Sequence, residues 1–262
     1  MDGRSGSYYS VWTDEAPETR MIPLLLLAAA HAAPLTGKVS ASAADVQTTG
    51  VPFGVQHAAG AVNVSCTAGS TAAANVTYVL DGPDAALLQS LAKEIKVTVT
   101  KSPDGGAQVA VSTPAGLSAL PVAKVDLTVT LPTKVMLDVA GGAGTVAITG
   151  CQGKVRSRNA TGGVSLAGTY TKLDVVSAQG PVTANLGAAT LAEASMLQAQ
   201  NGNITVQMPD ISANLTATGQ NITVQMPDFK PNTLTPTQVV GTLKTGGATL
   251  TIQAPAGWML LK

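Results

Sequence analysis

Asn203 to Asp210 and Asn221 to Asp228 read the same eight residues, Asn-Ile-Thr-Val-Gln-Met-Pro-Asp, offset by 18 positions. Identical segments one period apart need identical surroundings. A chain that stacks copies of one unit supplies them, each copy burying its apolar face against the next. The same unit, a small turn residue leading into a short alternating strand, recurs upstream. It is found at Gly144-Thr-Val-Ala-Ile-Thr, Gly163-Val-Ser-Leu-Ala, Gly180-Pro-Val-Thr-Ala-Asn-Leu, Gly202-Asn-Ile-Thr-Val-Gln-Met and Gln220-Asn-Ile-Thr-Val-Gln-Met, with spacings of 19, 17, 22 and 18. A further copy at Gly247-Ala-Thr-Leu-Thr-Ile follows after 27 residues, which predicts one enlarged loop. Each unit also carries a strand ahead of its turn, as at Val135 to Val139, Lys154 to Ser157 and Lys172 to Val176.

Period two governs these strands: Val146 and Ile148 share one face, as do Ile204, Val206 and Met208. Pro209 and Pro227 close their strands, because proline has no ladder donor. The expectation is an all-β chain whose residues 121–255 form a right-handed parallel β-solenoid, a β-helix-like coil with rungs of about 18–20 residues. Composition agrees: 3% of residues are aromatic and 11% charged, with 27 glycines, which suits thin stacked sheets better than a core anchored by large rings. Net charge is zero, so there is no general electrostatic case for nucleic acid.

The ends differ in texture. Ile22-Pro-Leu-Leu-Leu-Leu-Ala-Ala-Ala is an apolar run too short to span a bilayer, and Ala30-His31-Ala32 has the small-x-small form of a signal-peptidase site. Residues 1–32 therefore read as an upstream extension plus signal peptide, with Met21 as an alternative start because Asp14, Glu15 and Glu18 occupy the place of a basic n-region. The mature chain is expected to be exported, to a periplasmic, cell-surface or extracellular location, with no transmembrane span. Residues 33–49, rich in Ala, Ser and Thr, read as a flexible entry segment. Residues 50–120 read as a β-rich part that begins or caps the coil, with a short helix near 83–94 whose Leu87, Leu88 and Leu91 share a face. Asp104-Gly105-Gly106 marks a hairpin tip, and 256–262 form the C-terminal end.

Val125-Asp-Leu-Thr-Val-Thr-Leu-Pro, then Val139-Ala-Gly-Gly-Ala-Gly-Thr-Val-Ala-Ile and the repeated Gly-x-Val/Ile-x-Val units, resemble the bacterial β-strand-repeat family of unknown function. That family is often labelled "putative adhesin" and is related to auto-transporter adhesin head domains. The resemblance covers roughly residues 50–255. It implies an exported all-β protein with a parallel β-solenoid and no established catalytic activity, and it brings no functional residues with it.

The residues themselves point away from catalysis. The mature chain has one histidine, His57, with no Gly-x-Ser-x-Gly elbow to make a triad. One His and two Cys separated by 85 positions lack the clustering of a zinc site, and no cofactor is expected. Cys66 and Cys151 are the only cysteines, and two readings stand, a disulfide or two buried thiols. Asp174 and Glu193 are the carboxylates between Ala140 and Gln207 that a glycoside-cleaving pair would need. Lys154, Arg156 and Arg158 project from one face of a strand, and Lys172 follows one rung on, a candidate basic patch for an anionic glycan or envelope polymer. Threonine pairs such as Thr98 with Thr100 do not recur at every rung and reflect β-propensity. Six Asn-x-Ser/Thr sequons, from Asn63 to Asn221, follow from turn and strand composition, and their amides are placed to stack between rungs. The expected function is a non-enzymatic, adhesin-like surface or periplasmic scaffold and binding module. Its alternatives are a carbohydrate-active enzyme and an envelope component with a protein partner.

Overall fold

Alternation predicts strands with one buried face, and the computed structural model, which describes residues 32–47, 49–187 and 191–262, is built almost wholly of them. The leader read in residues 1–31 lies outside the described residues. In chain order the elements are β1 (Leu35–Ala43), β2 (Thr49–Ala59), β3 (Val62–Thr67), β4 (Ala72–Asp81), α1 (Ala85–Glu94), β5 (Lys96–Lys101), β6 (Ala107–Ser112) and a 3-10 turn at Ala115–Ala119. They continue with β7 (Val122–Pro132), β8 (Lys134–Ala143), β9 (Val146–Thr161), β10 (Val164–Gln179), β11 (Val182–Leu186) and β12 (Ser195–Asn201). The last are β13 (Ile204–Gln207), β14 (Ala213–Val224), β15 (Phe229–Leu234), β16 (Gln238–Leu243) and β17 (Thr249–Leu261). Inward residues align across strands, as in the row Phe53, Leu137, Val155 and Leu173, every member buried. Each such side chain contributes about 1.5–3 kcal/mol by leaving water.

The described residues are all-β with one α-helix, but the expected right-handed solenoid is not what the pairings form. The parallel pairs β10–β11, β11–β13, β13–β17, β17–β12 and β12–β10 return to their starting strand, so five parallel strands close a barrel. Closure is achieved because β10 bends at register shifts around Ala167–Thr169 and Tyr170–Lys172, and its two halves pair with different strands, β11 and β12. Nor do the units stack in chain order. The two copies of the octet do not touch as neighbouring rungs, because β17 lies between them: Ile204 and Ile222 are both in register with Met259, and Val206 and Val224 both with Leu261. The duplicated sequence therefore serves as two matching walls of one slot. Antiparallel pairs β1–β4, β4–β7, β5–β6, β14–β16 and β15–β16 depart further from a coil.

Two local expectations are also corrected. The stretch 33–49 contains β1, paired with β4 over nine residues, because alternate Leu35, Val39, Ala41 and Ala43 pack against the core despite the Ser- and Thr-rich composition. In α1 Leu88 and Leu91 are buried, whereas Leu87 is 46% exposed. The helix starts where Asp84 Oδ1 accepts from the Ala86 and Leu87 amides at 2.8 and 3.3 Å. Between β5 and β6, Gly105 has φ +85° at the hairpin tip, a conformation costly for other residues.

One corner of the molecule is a column of glycines: Gly60, Gly144, Gly162, Gly180, Gly202 and Gly257. A Cβ on any member after Gly60 would strike the carbonyl oxygen of the member before it. Glycine is thus required by close backbone approach, and at Gly162 also by a φ of +89°. Packing strands this tightly turns carbonyls toward the interior, where they need donors. Buried polar side chains supply them. Asn159 Nδ2 shares its protons among the carbonyls of Gly144, Thr161 and Gly162 at 2.9–3.0 Å, and Ser177, in register with it, donates to Gly162 at 3.0 Å.

His57 stands in the same inward row, in register with Gly141, which is in register with Asn159. Its Nε2 lies 2.7 Å from the Val125 carbonyl. A carbonyl only accepts, so Nε2 carries the proton and Nδ1, buried without a partner, is bare. Burial pushes the ring below its ordinary value of 6.5, against the smaller opposing effects of the Val125 carbonyl and of Asp126. A lowered folded-state value means that the unfolded chain takes up a proton first as pH falls through about 6.5. We expect stability to fall between pH 7.5 and 5.5, and to fall less in His57→Gln; equal slopes in urea titrations of the two proteins would show that His57 is not the group responsible.

Candidate functional site

β8, β9 and β10 lie side by side in parallel, and their outward residues form rows across the strands. Met136, Lys154 and Lys172 make one row; Asp138, Arg156 and Asp174 make the next. Neighbouring members of a row sit one strand spacing apart, about 4.8 Å, close enough for side chains to pair. The alternation that buries Val135, Leu137 and Val155 delivers these residues to the surface.

Lys154, Arg156, Arg158 and Lys172 do come together on this face, and each meets a carboxylate. Glu193 bridges Lys154 at 2.5 Å and Lys172 at 3.2 Å. Arg156 lies between Asp138 at 3.6 Å and Asp174 at 3.8 Å, and Arg158 holds Asp174 at 2.6 Å while also donating to its backbone carbonyl at 2.8 Å. The candidate basic patch is therefore a lattice of both signs. The hydrogen bonds and charges of Lys154 and Lys172 hold the Glu193 carboxyl below its usual range. The long Arg156–Asp138 pair, with both partners more than half exposed, adds little to stability. Sequence reasoning missed Asp138 altogether. The signal was present, since 138, 156 and 174 are separated by 18, the offset of the octet.

Three depressions open on this face. The largest, of about 410 Å³, is floored by Val135, Met136 and Tyr170 and flanked by Lys134 and Lys154. Tyr170 is buried with its hydroxyl 3.4 Å from the Ile148 carbonyl, and desolvation pushes its phenol well above the ordinary value. The second, of about 320 Å³, shares Met136 and Lys154 with the first and adds Asp138, Arg156, Lys172 and Asp174. A third, of about 310 Å³, shares Pro52 and Asp138 with the second and reaches Gln56, Ser102 and Gln108. Met136 is 40% exposed between the first two.

The other residues singled out in the sequence lie elsewhere. Cys66 on β3 and Cys151 on β9 form a disulfide, with Cα atoms 4.7 Å apart. His57 is interior. Among the described residues, no cluster of three His, Cys, Asp or Glu side chains is placed to hold a metal ion, and no helix is long and apolar enough to cross a membrane.

No protein-family model matches the sequence, and no curated protein matches it. Solved structures do align over most of the chain. A putative cell adhesion protein from Clostridium sporogenes shares 11% identity over 87% of this chain and 99% of its own, with a TM-score of 0.47. A putative adhesin from Bacteroides fragilis shares 13% over 86% and 97%, at 0.40, and a putative lipid binding protein from Parabacteroides distasonis 9% over 87% and 96%, at 0.31. Several of these structural neighbours are described as putative adhesins or cell adhesion proteins, at low sequence identity.

Proposed function

We propose that the chain is a non-enzymatic, exported binding module whose β8–β9–β10 face takes an anionic envelope polymer or glycan. The observation that carries this reading is the charge of that face: Lys134, Lys154, Arg156, Arg158 and Lys172 outnumber Asp138, Asp174 and Glu193 around a 410 Å³ depression. Fixed pairing presets the geometry of the cations, and the excess positive charge favours an anion that inserts among them. The disulfide supports an oxidising compartment. The carboxylates weigh against the carbohydrate-active alternative. Asp174 is held by two arginines, and Glu193 is held ionised by two lysines, whereas a glycosidase acid needs a raised value.

The test is a polysaccharide binding screen on the folded protein, with neutral and anionic polymers, beside Lys134→Glu/Lys154→Glu and Glu193→Gln. Affinity for the anionic polymers should drop about tenfold or more in the first variant and rise in the second, which frees two ammonium groups, and salt should weaken it. Equal binding by all three proteins, with unchanged circular dichroism, would remove this face as the recognition surface. Release of shortened chains from the polymer would restore the enzyme reading.

A further inference from the structure

The three depressions adjoin. The first and second share Met136 and Lys154, and the second and third share Pro52 and Asp138, so they lie end to end. The trough they make up follows β8. The first section lies over Lys134 to Met136, the second over Met136 to Asp138, and the third over Asp138 to Ala140, drifting from the β10 side toward β2 and β6. The six residue-to-residue steps from Lys134 to Ala140 give it a length of roughly 20 Å, and alternate outward residues mark it off in steps of about 6.6 Å.

Its chemistry changes along that length. At the first end, two ammonium groups flank an apolar floor. In the middle, Arg156 lies between Asp138 and Asp174 while Lys154 and Lys172 share Glu193, so donors and acceptors are both present and three cations stand against three carboxylates. At the far end the polar groups are the uncharged side chains of Gln56, Ser102 and Gln108, with Asp138 at the junction. Gln108 lies across Gly54, in the space a Cβ there would fill, so its amide forms part of the lining rather than extending into water.

We propose that the trough binds a linear heteropolysaccharide in which acidic sugars alternate with neutral, amide- or hydroxyl-bearing ones. An acidic unit lies between Lys134 and Lys154, with the face of its ring on Met136, a neutral unit follows beside Asp138 and Asp174, and the alternation continues toward Gln56 and Gln108. This rests on the binding-module reading above and adds length, direction and ligand composition to it. A polyanion with a charge on every unit would set carboxylates against Asp138 and Asp174. A wholly neutral chain would leave the Lys134 and Lys154 end without a partner.

The probe is a series of hyaluronan oligosaccharides of two, four, six and eight sugars, in which uronate and N-acetylglucosamine alternate, with oligogalacturonate and chitin oligosaccharides as all-acidic and all-neutral controls. Titration calorimetry on the folded protein should show affinity for the alternating series rising about tenfold from two sugars to four and then levelling, with both controls weaker. Ala140→Trp, an exposed position on the third section, should remove the gain from added sugars and leave disaccharide binding unchanged. Binding that is independent of length, or that prefers oligogalacturonate, would overturn the trough and leave the anionic-face reading in place; a preference for chitin oligosaccharides would overturn both. Absence of binding to every anionic probe would overturn both.

Discussion

Replacing Cys66 and Cys151 together by alanine will lower the free energy of unfolding by about 4.5 kcal/mol, the loop-closure entropy of a cross-link spanning 85 positions. Domains of ordinary stability have roughly 5–15 kcal/mol in all, so this loss is a large fraction of the total and the variant should melt well below the wild type. The two cysteines lie in neighbouring parallel strands, and Ser65 of β3 is already in register with Thr149 of β9. The bond therefore adds no new neighbourhood to the folded state; it acts by denying the unfolded chain its open loop. Urea titrations of the wild type, oxidised and reduced, and of the double variant will measure it. The two reduced forms should agree with each other and differ from the oxidised one. A loss under about 1 kcal/mol would mean that contacts formed by residues 66–151 survive in the unfolded ensemble.

A chain ending before Thr249 will not fold cooperatively. β17 is an internal strand, flanked by β12 and β13 on one side and by β14 on the other, and its Leu250, Ile252, Ala254, Met259 and Leu261 are all buried. Without it the two octets face each other across an empty slot, and their unpaired edges are templates for aggregation. Gel filtration and thermal melts should find oligomers and no sharp transition. The milder Ile252→Ala, with Leu197 and Ala217 as its in-register neighbours, should fold with a loss of about 3 kcal/mol. A monomeric truncated chain with a sharp melt would show that β12–β14 close without β17.

Most of the strands, though not β1, a short helix near 83–94 and the hairpin at Asp104 to Gly106 were legible because alternation, capping and turn chemistry are local. The order of stacking was not. Gly247-Ala-Thr-Leu-Thr-Ile reads as the next unit after Gln220, and nothing within reach of it along the chain says that it enters between two earlier units; that placement depends on partners about 55 residues away. The unit boundary set at Gly163 was one residue off the column member Gly162, which gave spacings of 19 and 17 where 144, 162 and 180 keep to 18. That single residue also concealed the face, since counting by 18 aligns Asp138, Arg156 and Asp174 and turns a basic patch into a lattice of both charges. The inward Asn159 and Ser177 were unreadable for another reason. Their role is to satisfy glycine carbonyls that turn inward only once the strands are stacked.

The place of β17 also sets a clock. It leaves the ribosome after every strand it pairs with, so β12, β13 and β14 must wait, unzipped on that side, until the closing strand arrives. An emerging chain is thereby kept from completing this part of its barrel until β17 is in place.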